Sequence, residues 1–171
     1  MQDKTINVRV MMVSYHPVGK TSLITRYFTG KFVEEWMETS QIYERVETIK
    51  LDSGYSINLI LFDTPGAVAI ENTNLNTIHG VFIIFDVTHS GSFDQVKETI
   101  DELKKRGGDN LIYIILGNKA DITAGRVVSK EAAEALAAEY GKEAGVIHTQ
   151  ATTTSKHPRK RVRASPRPSK R

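Results

Sequence analysis

A short loop between an apolar run and an amphipathic segment carries the side chains whose chemistry is easiest to interpret. Residues 14–21 read SYHPVGKT, which is the pattern G-x-x-x-x-G-K-[ST] with serine in place of the first glycine. In loops of this pattern, backbone N–H groups and the start of the following helix point at phosphate oxygens. Lys20 adds a positive charge, and the hydroxyl of Thr21 faces a magnesium ion. The spacing predicts phosphate binding, with a plain strand, turn and helix as the alternative.

Two further polar motifs follow apolar runs later in the chain. Asp63 follows SINLILF and begins the pattern D-x-x-G, in which a carboxylate holds magnesium and Gly66 leaves room for a terminal phosphate. Asn118 and Asp121 follow LIYIIL in the pattern N-K-x-D, where a carboxylate accepts two hydrogen bonds from a base with adjacent N–H groups, as guanine has. Each motif taken alone has another interpretation. Asp63 is equally well explained as a turn residue at a strand end, and N-K-A-D as a loop or a helix cap. Three matches in this order favour a nucleotide site.

The rest of the chain predicts the elements that position these motifs. Apolar or alternating runs predict strands at 5–14, 42–51, 56–62, 81–87, 111–116 and 144–149. Helical spacing of apolar residues predicts helices at 20–28, 92–106 and 129–140, with Ser92 and Ser129 as caps. The turn residues at 52–54 indicate that the second and third strands form a hairpin.

Strands that alternate with helices at this spacing predict an α/β fold, a doubly wound, mostly parallel six-stranded sheet with helices on both faces. Ligands of such sheets lie beyond the carboxyl ends of the strands. Each of the three motifs comes directly after a predicted strand. The predicted fold therefore brings them to one edge of the sheet.

Composition bounds the class of protein and its location. The chain has 171 residues, 40% hydrophobic and 25% charged, which suits one globular domain with a sizeable core. No apolar run approaches the roughly 20 residues of a spanning helix, and the first residues lack the order of a signal peptide. The absence of cysteine excludes disulfides, thiolate metal sites and a prenyl or palmitoyl anchor on this chain. We expect a cytoplasmic protein whose contact with membranes, if any, is peripheral.

Charge divides the chain into two parts. Residues 153–171 carry a charge of +8 with no acidic side chain, so the net charge of +3 leaves −5 for the remainder. This segment has serine, proline and basic residues and almost no apolar ones, which predicts a disordered tail after a folded domain at 1–152. The tail's charges suit RNA or an anionic membrane, and a solvated tail without a partner is the alternative.

Together these motifs resemble the small GTPases of the Ras superfamily, over about residues 5–152, with the Rab branch the nearest in appearance. The resemblance rests on Thr39 and on the stretches PVGKTSLI, FDTPG, FDVTHSGSF and GNKAD. It implies the G-domain fold of P-loop NTPases and a switch that binds guanine nucleotide and Mg²⁺. The family hydrolyses GTP to GDP and phosphate in vesicle trafficking or signalling, with effectors, exchange factors and activating proteins as partners.

The resemblance assigns roles residue by residue. It implies that Thr21, Thr39 and Asp63 hold the metal, and that Lys20, Thr39 and Gly66 form the catalytic group. Phe32 stacks on the base by the same likeness, whereas covering the core is the alternative for this ring. The implied nucleotide-binding residues are His16, Pro17, Val18, Gly19, Lys20, Thr21, Ser22, Phe32, Thr39, Gly66, Asn118, Lys119, Asp121, Ala151 and Thr152.

Several positions depart from the family's pattern. His16 adds bulk near the terminal phosphate, and Pro17 has no N–H to donate to it. Ala67 stands where the family has the glutamine that orients the attacking water. These departures predict slow intrinsic hydrolysis, and a pseudo-GTPase interaction module with structural or no nucleotide is the alternative. The basic tail replaces the family's last helix, so we expect that helix to be missing or altered and a sheet surface to be uncovered.

Overall fold

The computed structural model describes residues 4–32, 39–66, 68–71, 73–106, 110–140 and 144–148. The strands in these ranges are β1 (Lys4–Val13), β2 (Tyr43–Lys50), β3 (Tyr55–Asp63), β4 (Gly80–Asp86), β5 (Ile112–Asn118) and β6 (Ala144–His148). The helices are α1 (Lys20–Thr29), α2 (Val68–Glu71), α3 (Ser90–Lys105) and α4 (Lys130–Glu139), with a 3-10 helix at Leu75–Thr77. The two short helices after β3 were not predicted from the sequence.

The six strands form one sheet in the order β2-β3-β1-β4-β5-β6. β2 and β3 pair antiparallel as the predicted hairpin, and every other neighbouring pair is parallel. The predicted doubly wound, mostly parallel sheet is therefore confirmed. β1 lies inside the sheet between β3 and β4, so the loop that follows it opens at the carboxyl edge beside the ends of both neighbours.

The alternation of side chains along β1 divides the core between the two faces of the sheet. Met11 and Val13 belong to a large apolar cluster that also contains Ile100 of α3 and Ala137 of α4. Met12 points to the opposite face, where it joins Ile24 of α1 in a smaller cluster. Helices consequently cover both faces, because successive residues of a strand point in opposite directions.

The helix ends show one agreement and one correction. Ser129 caps α4, as predicted, because its side chain accepts a hydrogen bond from the N–H of Ala132. The prediction that Ser92 caps α3 is wrong. The helix begins at Ser90, and the ring nitrogen Nδ1 of His89 accepts the N–H of Ser92 at 2.9 Å. The hydroxyl of Ser92 instead accepts the N–H of Asp86 at 3.0 Å.

Among the described residues, the α1 side of the sheet is only partly covered. Ile6 of β1 is 51% exposed and Ile112 of β5 is 60% exposed, and both occupy the register of the α1 face. The prediction of a missing or altered last helix concerns residues that follow β6, which lie outside the described residues, as does the predicted tail at 153–171. In the part of the chain that the structure describes, no helix has the length and apolarity needed to cross a membrane.

Candidate nucleotide-binding site

The loop between β1 and α1 requires glycine at its last position. Gly19 has a φ of 91°, in the left-handed region that side chains with a Cβ rarely adopt. A Cβ on Gly19 would also lie 2.9 Å from the side-chain nitrogen Nδ2 of Asn118, closer than real Cβ contacts come. The glycine therefore permits both the turn into α1 and the approach of β5 to the loop.

Lys20, the first residue of α1, is held beneath the loop by a hydroxyl. Its Nζ donates a hydrogen bond of 2.8 Å to Oγ of the buried Ser14, and that hydroxyl donates to the carbonyl of His16 at 2.8 Å. Burial lowers the pKa of Lys20, and the charge of Asp63 acts in the opposite direction. The ammonium is thus fixed beside the loop between β1 and α1. Sequence reasoning treated Ser14 only as a departure and missed its contact with Lys20.

Three oxygen-bearing side chains meet at the end of β3. Thr21 Oγ1 donates to Asp63 Oδ2 at 2.8 Å and lies 2.7 Å from Thr39 Oγ1. The other carboxylate oxygen of Asp63, Oδ1, is buried and has no hydrogen-bond partner among the described residues. Burial raises the pKa of this carboxyl, although the hydrogen bond from Thr21 and the charge of Lys20 oppose the rise.

These oxygens fit a magnesium ion that also binds phosphate. Mg²⁺ prefers oxygen ligands and usually takes one or two carboxylates, keeping waters and phosphate oxygens in its other positions. The unpartnered Oδ1 of Asp63 offers an acceptor for the ion or for one of its waters. Among the described residues, no three His, Cys, Asp or Glu side chains cluster as a metal site. A metal at this point would therefore depend on the two threonine hydroxyls, the single carboxylate and oxygens of the nucleotide.

The end of β5 contacts the same loop from the other side. Asn118 Nδ2 donates a hydrogen bond of 2.8 Å to the carbonyl of Val18, and its Oδ1 is buried without a partner among the described residues. Lys119 adopts a left-handed φ of 60°, and its Nζ lies 2.5 Å from Asp86 Oδ2. Asp121 is exposed two residues further on. The N-K-A-D segment and the loop between β1 and α1 are thus in direct contact.

Asp86 at the end of β4 supports this arrangement. Burial favours its protonated form, but the hydrogen bonds from Lys119 and Thr88 outweigh that effect and hold the pKa of Asp86 below its usual value. The side-chain and backbone groups of Thr88 donate to Asp86 Oδ1 at 2.7 and 2.9 Å. Sequence reasoning did not include Asp86 in the site. The signal was present, because Asp86 ends an apolar strand at the same edge as Asp63 and Asn118.

The D-x-x-G segment is tied to β1 and to the phosphate loop. Thr64 Oγ1 donates to the carbonyl of Met12 at 2.6 Å. Gly66 has a φ of 93°, and a Cβ there would lie 3.5 Å from the carbonyl oxygen of Ser14. The backbone of Gly66 thus passes beside the loop between β1 and α1, and its contact with a terminal phosphate stays a prediction.

Two aromatic side chains of the loop contact the two ends of α3, its N-cap residue and its last turn. The rings of His16 and His89 lie with their centroids 4.8 Å apart. Tyr15 Oη donates to Glu102 Oε2 at 2.8 Å, and burial together with that hydrogen bond raises the pKa of Tyr15 to about 12. Sequence reasoning missed both contacts because their partners are far apart in the chain.

The structure therefore brings most of the predicted site residues to one edge of the sheet. Phe32 and Ser22 are half-buried and Pro17 is exposed, so stacking of Phe32 on a base stays a prediction. Ala67, Ala151 and Thr152 lie outside the described residues. The residues joined by the contacts above are Val18, Gly19, Lys20, Thr21, Thr39, Asp63, Gly66, Asn118 and Lys119.

Comparisons with known proteins agree with this arrangement. A family model described as "Ras family" matches residues 9–158, which is most of the chain. The chain is 31% identical over 136 residues to the "GTP-binding protein YPTM2" of Zea mays, covering 78% of this chain and 66% of the relative. The "Ras-related protein RABD2a" of Arabidopsis thaliana shows the same identity over the same length, with the same coverage of both chains.

A bovine relative matches a similar stretch. The "Ras-related protein Rab-26" of Bos taurus is 31% identical over 137 residues, covering 78% of this chain and 53% of its own. The chain thus spans about two thirds of the length of the plant relatives and about half of the bovine one. Together with the sheet order, these matches show that the chain belongs to the Ras family and is Rab-like within it.

Proposed function

We propose that this chain binds guanine nucleotide with Mg²⁺ and acts as a molecular switch. The observation that carries the proposal is the hydrogen bond of 2.8 Å from Asn118 to the carbonyl of Val18, because it joins the base-reading motif to the phosphate loop. One nucleotide can then contact both, with its base at Asp121 and its phosphates at Gly19 and Lys20. The name of the maize relative, a GTP-binding protein, supports the same ligand.

Residues of the loop and of β3 have different roles in the proposed GTP hydrolysis. Water attacks the terminal phosphorus, the bond to the bridging oxygen breaks, and GDP and phosphate are released. Lys20 stabilises negative charge on the outer phosphates, and its bond to Ser14 holds it in position. Thr21, Thr39 and Asp63 would hold Mg²⁺, which when bound neutralises charge on the phosphate oxygens. The N–H of Gly66 contacts the terminal phosphate in this proposal.

We expect the reaction to be slow without a partner protein. Pro17 offers no N–H to the phosphate oxygens, and Ala67 has no group that orients water. His16 adds a ring beside the loop, where it contacts His89. Because catalysis of phosphoryl transfer depends on positioning and on stabilising charge, the loss of such donors lowers the rate more than the affinity.

The relatives suggest where such a switch works. Two of those described above carry the names RABD2a and Rab-26. We therefore propose a role in vesicle trafficking or signalling, with the chain in the cytoplasm or peripherally on membranes. Its partners would be effectors, exchange factors and activating proteins of the kind that the family uses. The basic tail would supply a further contact, with RNA or an anionic membrane.

A second candidate function is a pseudo-GTPase, an interaction module that needs no exchange of nucleotide. One observation favours it, because Ser14 accepts from Lys20 and donates to the carbonyl of His16, each at 2.8 Å. The ammonium of Lys20 thereby has a hydrogen-bond acceptor within the loop itself and does not need a phosphate for this contact. In this alternative the fold of the Ras family serves only to present surfaces to partners.

Identification of the nucleotide that co-purifies with the protein separates the two candidates. The purified chain is denatured and its supernatant resolved by anion-exchange chromatography. We expect GDP or GTP at close to one equivalent of the parent protein. Lys20→Ala should lose most of this bound nucleotide, because it removes the positive charge that would contact the outer phosphates. Lys50→Ala, on the exposed end of β2, is the matched control and should keep its nucleotide. Parent protein without nucleotide, and unable to take it up with Mg²⁺, would favour the pseudo-GTPase.

A further inference from the structure

A cavity of about 210 Å³ lies on the α3 side of the sheet, outside the phosphate loop. It opens between β1, β3 and the segment that contains the 3-10 helix. Met11, Phe62 and Ile78 form apolar walls, and Arg9 and Asn74 add polar groups. The cavity volume falls below the range of about 300–1,000 Å³ that is usual for pockets of drug-sized ligands. The cavity therefore suits a smaller molecule or a single side chain.

Arg9 of β1 brings a positive charge to this cavity. Its Nε is buried and has no hydrogen-bond partner within the described part of the chain, and its guanidinium carbon lies 5.2 Å from the centre of the Phe62 ring. None of the carboxylates in the described residues forms an ion pair with it. Arginine stays charged in proteins, and a buried donor without an acceptor is rare in native structures. Among these residues the cavity therefore lacks one acceptor.

The backbone fixes the position from which this side chain extends. The N–H of Arg9 donates to Nδ1 of His79 at 3.1 Å, and the carbonyl of Arg9 accepts the N–H of His79 at 2.9 Å. β1 also pairs with β3 along this stretch, where Arg9 faces Ile60. These contacts fix the backbone of Arg9, so its side chain extends toward the cavity from a constant position.

The other polar groups of the cavity select the kind of acceptor. Thr64 Oγ1 donates to the carbonyl of Met12 at 2.6 Å, and Thr77 Oγ1 donates to the carbonyl of Asn74 at 2.8 Å. The oxygen Oδ1 of Asn74 accepts the N–H of Asn76 at 3.2 Å. Besides the guanidinium of Arg9, the amide nitrogen of the exposed Asn74 is a second donor among the side chains that line the cavity.

We propose that this cavity binds a carboxylate carried on a small apolar body, with Arg9 as its counter-charge. The planar guanidinium matches the two oxygens of a carboxylate, and the walls of Met11 and Phe62 accept the apolar part. A phosphate fits less well, because its additional charged oxygen would face these apolar walls without a donor. The carboxylate comes either from a free organic acid or from an acidic side chain of a peptide.

Sodium benzoate is the probe of this site, with benzamide as a neutral control of the same shape. Each is titrated into the full chain at pH 7, followed by ¹H–¹⁵N spectra that include the Nε–H of Arg9. We expect saturable shifts at Arg9 and Asn74 with benzoate, and at least tenfold weaker binding of benzamide. Arg9→Met should weaken benzoate at least tenfold, whereas Arg106→Met, an exposed arginine of the α3 end, should leave it unchanged.

Asn74→Ala provides a second variant that leaves β1 intact, and it should weaken benzoate about threefold. This keeps the proposal open to test if Arg9→Met fails to fold. Competition by the capped peptide Leu-Glu-Leu, but not by Leu-Gln-Leu, would identify a peptide side chain as the source. Binding of benzoate without such competition would identify a free acid. Equal affinity for benzoate and benzamide, or full benzoate affinity in a folded Arg9→Met, would overturn the proposal.

Discussion

The side-chain nitrogen of Asn118 donates a hydrogen bond of 2.8 Å to the main-chain carbonyl of Val18, one hundred residues earlier in the chain. This single contact joins the end of β5, which carries the N-K-A-D motif, to the loop between β1 and α1. Gly19 makes the approach possible, since a Cβ there would lie 2.9 Å from the same nitrogen. The Asn118 side chain therefore holds the end of β5 against the loop, and the absence of a Cβ at Gly19 leaves room for it.

This relationship predicts a coupling between Gly19 and Asn118. Gly19→Ala should destabilise the nucleotide-free protein by about 2 kcal/mol, because it adds left-handed strain and a close contact. In an Asn118→Ala background the close contact is gone and only the strain remains, so the same change should cost at least about 0.5 kcal/mol less. Urea unfolding in EDTA of the parent, both single variants and the double variant measures the difference. Equal costs in both backgrounds would show that the contact between the added Cβ and the Asn118 amide has no energetic effect.

The ion pair between Asp86 and Lys119 predicts a pH dependence with a definite sign. The folded-state pKa of Asp86 lies below its ordinary value of 3.8, so the carboxylate stabilises the fold fully above that value. The contribution is lost as the pH falls from 3.8 through the folded-state pKa. Asp86→Asn should lower the free energy of unfolding by about 1 kcal/mol between about pH 5 and 8, and by less below about pH 4.

Unfolding by urea at several pH values provides the measurement for this pair. Asp52→Asn, in the exposed hairpin turn, is the control and should change stability by less than about 0.5 kcal/mol throughout. A cost for Asp86→Asn that grows steadily from pH 8 to pH 5 would contradict the assigned sign.

The departures in the loop predict how the rate of hydrolysis can be recovered. The loss of one oriented donor or water-positioning group costs on the order of 3 kcal/mol, about a hundredfold, in a preorganised site. Ala67→Gln alone should therefore accelerate hydrolysis only modestly while Pro17 remains. Ala67→Gln combined with Pro17→Gly should recover more than either change alone, although effects on one transition state need not add. Single-turnover hydrolysis of pre-bound GTP tests this, and a parent already as fast as the double variant would refute it.

The basic segment at 153–171 predicts a salt-dependent attraction to polyanions. Removal of these residues should leave nucleotide affinity unchanged and abolish binding to RNA or anionic vesicles. In the full chain that binding should fall steeply with salt, because each neutralised phosphate releases counterions. Co-sedimentation with vesicles and filter binding of RNA, each at several salt concentrations, measure it. An unchanged salt slope after the deletion would locate the interaction in the folded domain.

Most of the fold could be predicted from local patterns, because the six strands and the three long helices each carry their own signal. The apolar run at 81–87 predicts a strand, and the structure has β4 at Gly80–Asp86. The start of α3 could not be predicted in the same way. His89 caps it through a ring nitrogen, and histidine is outside the usual set of capping residues. Ser92 has the right side chain for a cap, but its hydroxyl contacts Asp86 instead.

The same holds for the candidate site, where residues in short motifs could be predicted but contacts between separate segments could not. Thr21, Asp63 and Asn118 lie in short motifs with fixed spacing, so their roles could be proposed before any geometry was known. The pairing of Lys20 with Ser14 depends on how the loop folds back, and that of Tyr15 with Glu102 depends on the packing of α3. Such contacts arise from tertiary structure, which spacing in the sequence does not encode.

Guanine specificity is the central claim, and competition for a fluorescent GDP analogue tests it most directly. In the parent protein with Mg²⁺, GTP should displace the analogue at concentrations at least about a hundredfold lower than ATP, because Asp121 accepts hydrogen bonds that adenine cannot donate. Asp121→Asn should lose most of its affinity for GTP and gain affinity for XTP, since the amide now donates to a carbonyl of the base. If ATP competed as well as GTP, or Asp121→Asn kept the parent's affinity for GTP, the assignment of this edge of the sheet as a guanine-nucleotide site would be wrong.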